Sequence, residues 1–92
     1  MSTKDSRWDA AILAAVERLE HSHGEWIGLV DFRRALGRGR AAVDEHLRRL
    51  SRRGIVCLVP ESNRKALTQA DHDAAIRIGG QDNHLLSWQG PR

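Results

Sequence analysis

Apolar residues in the first quarter of the chain recur at helical spacing. Trp8, Ile12, Ala15, Val16 and Leu19 share one face, and Glu17, Arg18 and Glu20 fall off it. Ser6-Arg7-Trp8-Asp9 has the form of a capping box, so a helix is expected over about 7–22, closed by Gly24. Glu25-Trp26-Ile27 suits a brief strand. Leu29, Phe32 and Leu36 repeat at i, i+3 and i+7 and predict a short second helix ending at Gly37. Arg38 lies between two glycines, which permit positive φ and hence a tight connection. In the third helix Val43, Leu47 and Leu50 form the buried stripe, with Arg40, Asp44, Arg48, Arg49, Arg52 and Arg53 off its centre. Gly54 at C′ and Ile55 at C″, placed to touch Leu50 at C3, predict a Schellman stop.

The run Ile55-Val56-Cys57-Leu58-Val59 is apolar and partly β-branched, and Pro60 halts it, so it reads as a strand. Residues 61–65 are polar and turn-like. Thr68-Gln69-Ala70-Asp71 is a second capping box, opening a helix expected to run to about Arg77 and to end at Gly79-Gly80. Ala70, Ala74 and Ala75 offer it a packing face. His84 to Trp88 reads as a last strand, and residues 1–6 and 89–92 as frayed ends. The whole is one α+β domain spanning residues 1–92.

At 92 residues, 40% apolar and 29% charged, the chain suits one modest core and is too apolar for a disordered tail. No apolar run approaches the roughly 18 residues of a membrane span, and the start MSTKDSRWDA lacks a secretory apolar stretch. A cytoplasmic protein without membrane contact is expected. Cys57, the single cysteine, reads as a small buried residue. The five histidines lack metal-ligand spacing. No nucleophile–base pair or phosphate-cradling glycine loop stands out, and Gly79-Gly80-Gln81-Asp82 lacks the setting of one. Neither an enzyme nor a cofactor or metal is expected.

Charge changes the picture more. The net charge is only +3, but Arg33 to Arg53 holds eight arginines against Asp44 and Glu45, a local +6, and the rest of the chain sums to −3. Such a concentration suits a surface that meets a polyanion. A solvated pair of arginine-rich helices would look the same.

The order helix, short strand, helix, tight turn, helix, strand, polar tip and further strand resembles a winged helix-turn-helix domain. The resemblance rests on Leu29 to Gly37 as positioning helix and on Val43 to Val56, with its HLRRLSRRGIV end, as recognition helix and start of the wing. That end is similar to those of small bacterial regulators of the MarR and ArsR type. Asn63-Arg64-Lys65-Ala66-Leu67-Thr68 resembles their passage from wing to helix. The resemblance covers about residues 8–70 and implies a three-helix core with a small antiparallel sheet and wing. It also implies double-stranded DNA as partner, the third helix reading the major groove and the wing on the backbone. A third strand at 64–67 would give a short wing. A third strand at 84–88, with a helix inside an enlarged wing, is favoured, because Lys65-Ala66-Leu67 is a thin strand.

Candidate DNA contacts are Arg38 and Arg40 at the amino end of the third helix, Arg48, Arg49 and Arg52 further along it, Arg33 and Arg34 on the second helix, and Arg64 and Lys65 at the wing tip. Asp44 and Glu45 count against base reading, because carboxylates there repel phosphate. Asp44 also has Arg48 at i+4 as a helix-stabilising partner. The expected function is that of a DNA-binding transcription regulator, with a homodimer through Trp8 and the first helix or through the segment around Trp88. The alternative is a winged-helix module that joins protein partners within an assembly.

Overall fold

The computed structural model describes residues 3–92. Helix α1 (Thr3–His23) buries Ile12, Ala15 and Val16. It begins ahead of Ser6, so the Ser6–Asp9 box lies inside the helix and residues 3–6 are not frayed. The anchor for this first turn comes from the third helix, whose Arg49 meets Asp5 and Asp9. Gly24, at φ +80°, ends α1 with its N–H on the Glu20 carbonyl.

Strand β1 (Ile27–Gly28) leads into α2 (Leu29–Leu36), which Gly37 closes in the left-handed conformation at φ 65°. Helix α3 (Arg40–Arg52) buries Val43, His46, Leu47 and Leu50. Its end is the expected Schellman motif: Ile55 N–H donates to the Leu50 carbonyl at 2.9 Å and Gly54 N–H to Ser51 at 3.0 Å.

Strand β2 (Val56–Val59) pairs antiparallel with β5 (Leu85–Trp88), Leu58 opposite Leu86, and β5 pairs antiparallel with β1, giving the order β1-β5-β2. The strand that returns to β2 is therefore the one at the carboxy end. Residues 64–67 form no strand; Arg64–Ala66 is a single 3₁₀ turn. The sheet covers one side of the three helices, and Ile27, Phe32, Leu47, Leu50, Val56 and Leu86 close the core between them.

Between β2 and β5 the chain makes an excursion. Helix α4 (Gln69–Ala74) opens on the expected capping box: Asp71 N–H donates to Thr68 Oγ1 at 3.1 Å, and Thr68 N–H to Asp71 Oδ2 at 2.9 Å. It stops three residues short of the expected Arg77. Ile76–Ile78 is instead strand β3, paired with β4 (Gln81–Asn83) in a hairpin. Gly79 and Gly80 are its two-residue turn, at φ 61° and 77°, and both positive values fit a type I′ connection.

The carboxy end is not frayed. Gln89 and Gly90 both donate to the Ile55 carbonyl, at 2.7 and 3.1 Å, and the Arg92 guanidinium grips both Glu20 oxygens at 2.6 and 2.8 Å. Among the described residues no helix is long and apolar enough to cross a membrane, and no group of three His, Cys, Asp or Glu side chains could hold a metal ion.

Candidate nucleic-acid interface

Helices α2 and α3 with their glycine-bounded turn carry seven of the nine candidate cations, and the 3₁₀ turn after β2 carries Arg64 and Lys65. The nine divide into two groups.

Four are tied to partners within the chain, and of these Arg40 keeps half of its side chain exposed. Arg33 is mostly buried: its Nε donates to the Ala74 carbonyl at 2.9 Å, and its Nη2 lies 2.7 Å from Asp44 Oδ1. This contact is one of charge without hydrogen-bond alignment, since Arg33 Nη1 and Nη2 and Asp44 Oδ1 are buried without a hydrogen-bond partner. Arg40 donates to the Asp73 and Ala75 carbonyls and places Nε 3.5 Å from Asp44 Oδ2. Arg48 Nη2 donates to the Arg77 carbonyl at 3.0 Å. Arg49 is held by Asp9 and, at 3.8 Å, by Asp5, and it donates to His46 Nδ1. The groups facing Arg33, Arg40 and Arg48 are largely main-chain carbonyls where α4 ends and β3 begins. Helix carbonyls there have no partner within the helix and draw cations. Asp44 thus pairs with Arg40, four residues before it, and with Arg33 of α2, and not with Arg48.

Five candidates remain at the surface. Arg34, Arg52, Arg64 and Lys65 are exposed and, among the described residues, their side chains make no hydrogen bond or ion pair. Arg38 is exposed and lies over Trp8, 5.0 Å from the ring centroid. That indole also stacks on His46 at 4.5 Å. Trp8 is thus packed within the chain and only partly exposed, and Trp88 is 8% exposed. Among the described residues the exposed large apolar side chain is Trp26, at 40%.

The acidic side chains are drawn the other way. Asp5, Asp9, Glu17, Glu20, Asp44 and Asp82 are ion-paired with arginines. Glu45 is the one acid among the described residues whose carboxylate has no hydrogen-bond or ion-pair partner, and it is exposed on α3. At 100° per residue the face it occupies runs Ala41, Glu45, Arg48, Arg52, flanked by α4 on the Arg40–Asp44 side and by α1 on the Arg49 side. Cys57 is half-buried on β2.

Sequence spacing did not reveal the pairing of the rings of His72 and His84, which meet edge to face at 6.2 Å across the excursion. His84 Nδ1 accepts the Glu61 N–H. Compared with family models, curated proteins and solved structures, the chain matches none of them.

Proposed function

We propose that the chain is a winged-helix protein that binds double-stranded DNA as a transcription regulator, and that it holds the duplex mainly by its phosphates. The supporting observation is the sorting of charge. Ion pairs with arginines within the chain engage six of the twelve carboxylates, and Arg34, Arg38, Arg52, Arg64 and Lys65 stay exposed on the helix-turn-helix segment and on the connection after β2. The order of helices and the sheet order β1-β5-β2 fit the winged helix, with residues 60–84 as an enlarged wing. Base reading is the weaker part of the mechanism. The open stripe of α3 offers Arg52 and the partly engaged Arg48 beside a carboxylate, Glu45, which can accept from the amino group of cytosine but repels phosphate.

A second reading, a winged-helix module that docks on a protein partner, is favoured by the same Glu45 and by the internal commitment of Arg33, Arg40, Arg48 and Arg49. Salt separates the two. Five phosphate contacts give a log–log slope of about −4 to −5, so affinity for a random duplex of about 30 base pairs falls several hundredfold between about 50 and about 200 mM salt. Fluorescence anisotropy of the labelled duplex reads this. Arg52→Ala and Arg64→Ala each flatten the slope by about 1. No binding at low salt, or binding indifferent to salt, refutes the DNA reading.

A further inference from the structure

Away from the basic segment, the chain forms a cleft of about 290 Å³ where α1, the end of α3, the start of β2 and the carboxy-terminal tail meet. Its walls are Ala10 and Leu13 from α1, Ile55, the Trp88 indole and Pro91. The tail forms one side of it. Trp88 Nε1 donates to the carbonyls of Gly90 and Pro91 at 3.1 and 3.2 Å, and Gln89 and Gly90 donate to Ile55. At the far end Arg92 is clamped to Glu20 and Glu17 on α1. A Cβ on Gly90 would stand 3.0 Å from Ile55 Cγ2, so the tail already sits about as close as a glycine permits. Pinned at both ends, it bridges the seam between the sheet and α1 and does not collapse into it.

Two charged side chains complete the lining, Asp9 and Arg53. Asp9 is neutralised by Arg49. Arg53 is exposed and has no side-chain partner among the described residues. The cleft therefore presents apolar walls and one uncompensated cation. Its volume falls just below the range of about 300–1,000 Å³ typical of small-molecule sites. It suits a chain of several carbons and not a helix of about 10 Å diameter.

We infer that this cleft binds a small amphipathic carboxylate, with its acyl body against Leu13, Ile55, Trp88 and Pro91 and its head group on the Arg53 guanidinium. The match is one of charge and shape: a guanidinium takes a carboxylate through paired hydrogen bonds, and the walls remove the acyl carbons from water. An amine of the same length meets that cation and is repelled.

The test is a titration of the ¹⁵N-labelled full chain with octanoate, octanol and octylamine, followed by NMR. Octanoate is expected to move the Trp88 indole resonance and the Leu13 and Ile55 amides, leaving the Trp8 and Trp26 indoles in place. Octanol is expected to bind about tenfold more weakly, the worth of one exposed charge-assisted contact, and octylamine more weakly still. Arg53→Gln should bring octanoate to the level of octanol without changing octanol. Ala10→Phe should fill the cleft from α1 and weaken both, and the spectra of both variants report whether they are folded. The inference is overturned if octylamine matches octanoate, if all three indoles shift together, or if no resonance moves at millimolar ligand. It is equally overturned if the cleft resonances move with protein concentration alone, which would make a second copy of the chain the occupant.

Discussion

Helical spacing offers Asp44 a partner in Arg48, yet in the structure it joins Arg33 and Arg40 at a point where three elements meet. Its side chain is 15% exposed and that of Arg33 is 16% exposed. Removing one partner of a fully buried pair costs about 3–5 kcal/mol, because the other charge stays desolvated and unpaired. Residual water and the solvent-facing Arg40 reduce that here, so Asp44→Ala is expected to cost about 2–3 kcal/mol. A chain of this length has about 5–14 kcal/mol of stability in all. The loss corresponds to a melting temperature lower by about 10–20 °C. Urea titrations followed by tryptophan fluorescence and circular dichroism give the value. The double variant Arg33→Met/Asp44→Leu should recover part of it, with a coupling energy of about 1–2 kcal/mol. Arg33 and Arg40 hold the end of α4, so hydrogen exchange over residues 75–78 should quicken in Asp44→Ala. A cost under about 0.5 kcal/mol, or strict additivity in the double variant, would refute the view that this pair fastens the excursion to the helices.

The Asp71 carboxyl is held below the usual carboxylate range, first by the Thr68 main-chain N–H and then by the Thr68 hydroxyl. A depressed carboxyl contributes stability above about pH 4 and loses it as pH falls through its folded-state pKa. Thr68→Ala should therefore cost about 0.5–1 kcal/mol at neutral pH, and less near pH 2, in thermal melts. In the hairpin, Gly80→Val should cost about 1–2 kcal/mol because Cβ opposes a positive φ, and Gly79→Asn should be nearly neutral, since Asn-Gly suits the same turn. Gly90→Ala forces the Ile55 side chain aside and should cost about 1 kcal/mol in urea titrations.

What the sequence disclosed follows from the range of the physics involved. The three main helices, the Schellman stop at Gly54 and the strand halted by Pro60 are local, set by periodicity and by glycine or proline within a few residues. The pairing of 84–88 with 56–59 was also legible, because no other segment was apolar enough to cover β2. The β3–β4 hairpin was missed. The capping box at Thr68 predicts a longer helix, and Gly79-Gly80 suits a helix stop as well as a two-residue turn between short strands. The start of α1 was misplaced for a different reason. Ser6 has a capping pattern, but the first turn is fixed by Arg49, more than forty residues away in the chain. Spacing along one helix could offer Asp44 a partner at i+4 or i−4 with equal justice. It could not show that Arg33 would arrive from α2.

The basic segment thus divides into arginines that fasten the excursion and cations that stay exposed, and under the proposed DNA binding this division has a measurable consequence. The excursion from Thr68 to Asn83 brings little apolar surface of its own, chiefly Ala74, Ala75 and Ile76. Arginine N–H groups on main-chain carbonyls do much of the work of holding it, and this accounts for Arg33, Arg40 and Arg48 without any ligand. A duplex that leaves these contacts intact meets five exposed cations and loses affinity with a log–log salt slope of about −4 to −5. A duplex that drew the three arginines away as well would show a slope of about −7. The excursion would then lose its fastening, and exchange at residues 75–78 would rise on binding. Slope and exchange must therefore change together: a steep slope with residues 75–78 still protected would refute this division of the arginines.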